Sequence, residues 1–199
     1  MKVYDSFVSD WIFPLDEAYF ESENFKKILS FYVIHTPVLS LSAQAKDLHT
    51  HGWSRPWNKK YYLNKQLKNA STNPKLIYAA QTYADMSNAL NKADLLENFP
   101  NKISTERIAV YNNMKTQFPS IFYHLRNSIA HARFIIRDIE IDGEIVKMYV
   151  FQDGIKENGQ FKVSARMVLR EQTLIRWAQI IEGGETEYVP PERKEQYTT

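Results

Sequence analysis

The stretch Ile121–Phe134 reads I-F-Y-H-L-R-N-S-I-A-H-A-R-F, and its spacing predicts an amphipathic helix. At 100° per residue, its apolar positions fall within a stripe about 80° wide, which suits a buried helix face. These positions are Ile121, Leu125, Ile129 and Ala132. We expect the helix to begin at Ser120, directly after Pro119, and to end near Arg133.

The chain before this helix also reads as helical. Apolar residues at helical spacing predict a helix over 16–47 that is kinked or divided at Pro37, because an internal proline removes a backbone hydrogen bond. An Asn-Pro pair, typical of a helix start, predicts a second helix over 73–99. A third is predicted over 104–118, where Ser and Thr supply the cap.

From Phe134 onward the spacing of apolar residues changes from helical to alternating, which predicts β-structure. Phe134–Ile141 and Ile145–Phe151 read as strands, joined by Asp142-Gly143, a signal for a type I′ hairpin. Strict alternation over Phe161–Leu169 predicts a strand with one buried face. The remaining segments are a loop over 153–159 and a short amphipathic helix over 174–182.

These patterns predict a mainly α protein. We expect an antiparallel helical bundle over 1–133, then a three-stranded antiparallel β meander and a C-terminal helix over 134–184, packed on that body. Residues 185–199 are polar and predict a flexible tail. The length of 199 residues and the 44% hydrophobic content fit one globular domain.

The composition excludes several classes of site. The chain has no cysteine, so disulfides, thiolate zinc sites and cysteine nucleophiles are all excluded. No stretch approaches the roughly 20 apolar residues that span a bilayer, and the start of the chain resembles no targeting signal. We therefore expect a cytoplasmic protein with no membrane partner.

Charge is distributed unevenly, and one segment is basic. Residues 48–84 contain six basic residues, no acidic residue and several aromatic residues. Basic side chains pair with phosphates and aromatic rings stack on unpaired bases, so this segment is a candidate RNA-binding surface. The candidate residues are Arg55, Trp57, Lys59 and Lys60. The alternative is that the aromatic residues belong to the core and the lysines are solvated.

Polar side chains form a ridge on the helix of Ile121–Phe134. His124, Asn127 and His131 follow one another at spacings of three and four, within about 60° on the wheel. Histidines titrate near neutrality, so the ridge is a candidate site, although helical histidines are often only buried hydrogen-bonding groups. His124 and His131 lie about 10 Å apart along the axis, too far to share a metal ion. The pair His49 and His51 lacks a third ligand, so we predict neither a metal nor a cofactor.

The run Arg126-Asn127-Ser128-Ile129-Ala130-His131 resembles the signature of the HEPN superfamily, in which Arg and a polar residue precede His late in a helical domain. The resemblance covers residues 15–135 and implies a HEPN-like helical bundle. It also implies a metal-independent endoribonuclease that acts as a homodimer. HEPN ribonucleases serve in toxin–antitoxin systems, abortive infection and antiviral defence, which implies RNA as substrate and an antitoxin or regulatory protein as partner.

The resemblance implies that Arg126 and His131 are the catalytic pair and that Asn127 supports them. His124, on the same ridge, is a further candidate for a supporting role. His131 can move the proton of the RNA 2′-OH, while Arg126 offers a planar fork of donors to the phosphate. The expected products carry 2′,3′-cyclic phosphate and 5′-OH ends.

The ideal helix wheel places Arg126 about 140° from His131. Three arrangements could bring them together: the arginine side chain curls across, the helix ends before His131, or the site is composite across a dimer. Two other functions stay open. One is a non-catalytic HEPN module for dimerisation or RNA binding. The other is an unrelated helical protein with a chance motif, including a metal hydrolase.

Overall fold

The computed structural model describes residues 17–38, 47–56, 62–70, 77–96, 105–114, 117–158 and 160–186. Their α-helices are α1 (Glu23–Leu29), which continues as a π-helix (Ser30–His35), α2 (Leu63–Ala70), α3 (Met86–Lys92), α4 (Gln117–Ala130) and α5 (Glu171–Glu182). Short 3₁₀ helices span Glu17–Glu21 and Tyr83–Asp85. Their strands are β1 (Ile77–Ala80), β2 (Arg107–Tyr111), β3 (Phe134–Ile141), β4 (Glu144–Glu157) and β5 (Gln160–Arg170).

In the described part of the chain, five strands form one mixed sheet in the order β1-β2-β5-β4-β3. Strands β1 and β2 are parallel, and the other neighbours are antiparallel. One face packs against α1, the π-helix, α2, α4 and α5 in a single apolar cluster. The other face packs against α3. Both faces are covered, which explains why most of β5 is buried on both sides.

The predicted fold class is wrong: the protein is an α/β fold and not a mainly α bundle followed by a three-stranded meander. Two segments predicted as helices, β1 and β2, are strands that extend the sheet. Their pairing depends on distant residues, since β2 lies against β5, some sixty positions later along the chain. Tertiary pairing of this kind overrides local helical spacing.

Other predicted elements need smaller corrections. The helix predicted over 73–99 is much shorter in the structure, where only α3 is α-helical among the described residues of this range. A capping box precedes α3: the side chains of Thr82 and Asp85 each accept a hydrogen bond from the other residue's backbone N–H. The Asn-Pro pair that predicted an earlier start lies outside the described residues. The π-helix ends at His35, two residues before Pro37, so the helix is interrupted near this proline as expected.

The β-hairpin is confirmed. Strand β3 has the predicted bounds, and both Asp142 and Gly143 have positive φ, as a type I′ turn requires. Strand β4 continues through the predicted loop to Glu157. Helix α5 covers the predicted short helix, while most of the predicted tail lies outside the described residues.

Strand β5 does not keep one buried face along its length. Asp153 pairs with Ala165 and Gly154 pairs with Val163, so Ser164 is an extra residue in β5. This β-bulge reverses the alternation: Ala165, Met167 and Leu169 pack in the larger cluster, whereas Phe161 and Val163 pack on the α3 side. Among the described residues, no helix is long and apolar enough to cross a membrane.

Candidate active site

Helix α4 places the candidate residues against the sheet. Three residues of its predicted apolar stripe, Ile121, Leu125 and Ile129, are buried in the larger core cluster, whereas the fourth, Ala132, is exposed beyond the end of the helix. The helix ends in a Schellman motif, because the N–H of Ala132 donates to Ile129 and the N–H of Arg133 donates to Ser128. The chain then turns directly into β3. This ending fixes where the last residues of the motif project.

His131 caps the C-terminus of α4 and is exposed. Its backbone N–H still donates to the carbonyl of Asn127 at 3.0 Å, so both residues share one helix face. The next residue, Ala132, adopts the left-handed conformation with φ of 52°, a position that favours glycine. The His131 imidazole is therefore available to a ligand from solvent.

His124 lies in a different environment, two turns earlier and only 2% exposed. Its Nε2 lies 3.0 Å from the carbonyl oxygen of Tyr111, which can only accept, so Nε2 carries a proton. Its Nδ1 lies 2.7 Å from Oδ2 of Asp153. These two atoms form a hydrogen bond. Both ring nitrogens are thus engaged inside the protein, which suits a structural role better than proton transfer to a substrate.

A chain of hydrogen bonds leads from this buried pair to Arg126. Nδ2 of Asn127 donates to Oδ2 of Asp153 at 3.3 Å. Oδ1 of Asn127 accepts from Nη1 of Arg126, also at 3.3 Å. The guanidinium is therefore drawn toward Asn127, the residue that shares a helix face with His131.

A second guanidinium flanks Asp153. Arg133 donates from Nη1 to the carbonyl of Gly154 at 2.9 Å, and the same nitrogen lies 3.7 Å from Oδ1 of Asp153. Its guanidinium carbon lies 5.0 Å from the ring centroid of Phe161. Arg133 thus lies next to the buried carboxylate, whereas Arg126 is linked to it through Asn127.

Aromatic side chains surround this cluster. The ring of Tyr123 lies edge-on to His124, with centroids 5.1 Å apart. Tyr83 stacks on Tyr111 at 4.3 Å, and Nζ of Lys162 lies 4.0 Å from the Tyr83 centroid. Burial, followed by the neighbouring Tyr111 and Asp153, raises the pKa of Tyr83 to about 12. Tyr83 therefore stays neutral at physiological pH.

Side-chain contacts link three of the four predicted motif residues, Arg126, Asn127 and His124, directly or through Asp153. His124 and Asn127 both contact Asp153, and Arg126 contacts Asn127. His131 is the fourth, and its backbone N–H donates to the carbonyl of Asn127 in the ordinary helical pattern. Of the three arrangements considered from sequence, the helix does end before His131, at Ala130, and the Arg126 guanidinium contacts the adjacent Asn127.

The basic segment is only partly described. Trp57, Lys59 and Lys60 lie outside the described residues, and Arg55 is exposed. Trp53, which lies in the same segment, is 1% exposed and donates from its indole N–H to the carbonyl of Ile181. This tryptophan is a core residue, as the alternative interpretation of the segment proposed.

No group of three or more His, Asp or Glu side chains that could hold a metal ion occurs among the residues that the structure describes. In the His49/His51 pair, Nε2 of His51 lies 2.7 Å from the carbonyl oxygen of His35 and donates to it. That nitrogen is therefore engaged with the backbone.

The sequence analysis missed Asp153, which it placed in a loop. Asp153 is 4% exposed on β4, where the bulge in β5 sets its position. The signal that could have found it is an acidic residue two positions after the apolar run Met148–Phe151, since charged residues are rarely buried without a partner.

Comparison with protein-family models, with curated proteins and with solved structures found no match for this chain.

Proposed function

We propose that the protein is a metal-independent endoribonuclease in which His131 and Arg126 act on the RNA phosphodiester and Asn127 supports them. The observation that carries the proposal is the hydrogen-bonded chain that ends at the Arg126 guanidinium, on a helix whose exposed C-cap is His131. The proposal rests on these side chains and on the spacing that resembles the HEPN signature. It does not rest on the helical-bundle fold, which is absent.

The residues suit a reaction that uses the RNA 2′-OH as nucleophile. The 2′-oxygen attacks the adjacent phosphorus as it loses its proton, the bond from phosphorus to the 5′-oxygen breaks, and that oxygen takes up a proton. His131 takes the first proton or donates the second. Arg126 offers paired N–H donors to the phosphate oxygens as charge develops on them. The products are 2′,3′-cyclic phosphate and 5′-OH ends.

The proposal includes the biological setting that the motif implies. The enzyme acts as a homodimer on cytoplasmic RNA, in defence or in a toxin–antitoxin pair. An antitoxin or regulatory protein restrains it, since an unrestrained ribonuclease would damage its own cell.

Incubation with total cellular RNA in EDTA tests the proposal. Wild-type protein, His131→Ala and His49→Ala are purified in the same way, and the RNA ends are mapped. His49 is an exposed histidine outside the cluster, so its variant controls for loss of any surface imidazole. We expect cleavage to cyclic-phosphate ends by the wild type and by His49→Ala, and none by His131→Ala. Equal cleavage by His131→Ala would show that the site is assigned wrongly.

Other outcomes favour the alternative functions. RNA binding without cleavage, weakened by salt, favours a non-catalytic binding module. Cleavage that EDTA abolishes favours a metal hydrolase. A monomer in sedimentation that neither binds nor cuts RNA favours a chance motif.

A further inference from the structure

Asp153 lies at the centre of the candidate site although no motif includes it. We propose that Asp153 is a positioning residue that orients Asn127 and, through it, the Arg126 guanidinium. This inference rests on the proposed ribonuclease function and extends its machinery to a second element of the fold, β4.

The contacts of the carboxylate support this role. Oδ2 lies 2.7 Å from Nδ1 of His124 and 3.3 Å from Nδ2 of Asn127. Oδ1 faces Nη1 of Arg133 at 3.7 Å. His124 is itself fixed at its other nitrogen by the carbonyl of Tyr111. The carboxylate is thus held from several directions, so that Asn127 receives a fixed acceptor.

The groups around Asp153 explain why a carboxylate is needed. Asn127 and Arg133 both present N–H groups to it, and Nδ1 of His124 is hydrogen-bonded to it. An ionised carboxylate only accepts hydrogen bonds, whereas an amide presents an NH₂ donor on one side. An asparagine at position 153 can keep its oxygen toward His124 and Asn127 only by turning its NH₂ toward Nη1 of Arg133, so one donor opposes another and the acceptor for Asn127 is held less firmly.

The backbone is shaped to place this carboxylate. The register shift of β4 and β5 lies at Asp153 and Gly154, and Ser164 is the extra residue opposite them. Oγ of Ser164 lies 3.5 Å from Nδ1 of His124. A Cβ atom on Gly154 would overlap the carbonyl oxygen of Lys162 and the ring of Phe161. β-Bulges commonly re-aim a side chain beside a functional site.

Single-turnover cleavage of a short RNA in EDTA tests the proposal. The proteins are wild type, Asp153→Asn, Asn127→Ala and the double variant, with Asp138→Asn as control. Asp138 is an exposed acid on β3 that pairs with Lys147 at 3.3 Å, so its variant removes a carboxylate from the surface only. We expect Asp153→Asn and Asn127→Ala each to lower kcat at least tenfold with KM changed less than threefold, and the control to match wild type.

The double variant separates positioning from mere structural support. If both residues act through Arg126 as one chain, it will be no slower than the slower single variant. Multiplied losses, or a wild-type kcat for Asp153→Asn, would overturn the proposal. Should Asp153→Asn fail to fold, Asn127→Ala is compared alone with the control, because Asn127 is only half-buried.

A second readout does not depend on cleavage. The side-chain NMR signals of Arg126 report whether rotation of its guanidinium is restricted. We expect resolved Nη signals in wild type and averaged signals in Asn127→Ala and Asp153→Asn. Resolved signals in every variant would overturn the positioning role. Averaging in the variants combined with an inactive wild type would leave the positioning of Arg126 supported and refute the ribonuclease function.

Discussion

Helix α4 carries two histidines in opposite environments. His124, in the middle of the helix, is buried and bonded at both ring nitrogens, to Asp153 and to the carbonyl of Tyr111. His131, at the C-cap, is exposed to solvent. The same residue type therefore occupies two different environments on one helix. His124 connects α4 to the sheet by hydrogen bonds, and the imidazole of His131 is accessible to a ligand from solvent.

The difference teaches that a polar ridge on a helix need not be one site. Its buried part joins three elements, since His124 on α4 contacts the end of β2 and the bulged part of β4. Its exposed end, His131, lies one helical turn after Asn127 and contributes little to packing. Substitutions in the two regions should separate stability from activity.

The largest stability effect is expected at the buried histidine. His124→Ala removes one partner of a buried pair and leaves the Asp153 carboxylate without its closest donor, which should cost about 3–5 kcal/mol of unfolding free energy. Urea unfolding followed by circular dichroism measures this. His131→Ala, the exposed counterpart, should change stability by less than about 0.5 kcal/mol. Equal costs at the two positions would show that the environments do not differ as described.

A somewhat smaller loss is expected where the bulge supports the buried pair. Gly154→Ala places a methyl group against the carbonyl of Lys162 and the Phe161 ring, where β4 and β5 cannot separate without losing their pairing. We expect a loss of about 1–3 kcal/mol, as for other overpacked positions. Lys156→Ala, at an exposed position on the same strand, is the control. If Gly154→Ala leaves the free energy of unfolding unchanged, the bulge can adjust to the added methyl group and the steric argument is wrong.

The exposed end of α4 should accept a stabilising change. Ala132 has φ of 52°, and a left-handed conformation costs a non-glycine residue about 1–2 kcal/mol. Ala132→Gly removes this strain but adds about 0.4–1 kcal/mol of unfolded-chain entropy, so stability should rise by about 0.5–1 kcal/mol. Thermal unfolding measures the gain. Ala130→Gly, inside the helix, should instead destabilise the protein.

The buried surroundings of α4 should also make stability fall in alkali. Tyr32 stacks on Phe122 of α4, and its hydroxyl donates to the carbonyl of Leu174. Burial, aided by the nearby Glu106, raises its pKa well above the usual value of 10.0. The folded state therefore keeps a proton that the unfolded chain releases, so this contribution is complete below about pH 10 and is lost as the pH rises further.

Thermal unfolding from about pH 8 to about pH 11 tests this dependence. Tyr32→Phe should flatten the fall in Tm, whereas Tyr62→Phe, at a 41% exposed tyrosine, should leave it unchanged. Identical profiles for Tyr32→Phe and wild type would contradict the burial argument.

The C-terminal half of the fold could be predicted because its signals are local. The hairpin of β3 and β4 follows from alternation and from Asp142-Gly143, and α5 follows from its own apolar spacing. Strands β1 and β2 could not be found in this way. Each is short, and β1 pairs in parallel with a strand about thirty residues away, which no local pattern reveals.

The candidate site also contains residues that local sequence patterns could predict and one that they could not. Arg126, Asn127, His131 and His124 lie on one helix, so helical spacing found them together. Asp153 lies 29 positions after His124 on another element, and only the sheet register brings the two into contact. Sequence spacing also could not tell the buried histidine from the exposed one, because burial depends on the sheet under α4.

The most direct test of the account is the initial rate of cleavage of a defined RNA in EDTA by wild type and by His131→Ala, at a temperature where circular dichroism shows both to be folded. The account predicts a loss of about 10²–10⁴-fold in rate, the usual contribution of a general acid–base group, with stability unchanged. Cleavage by His131→Ala at the wild-type rate would contradict it.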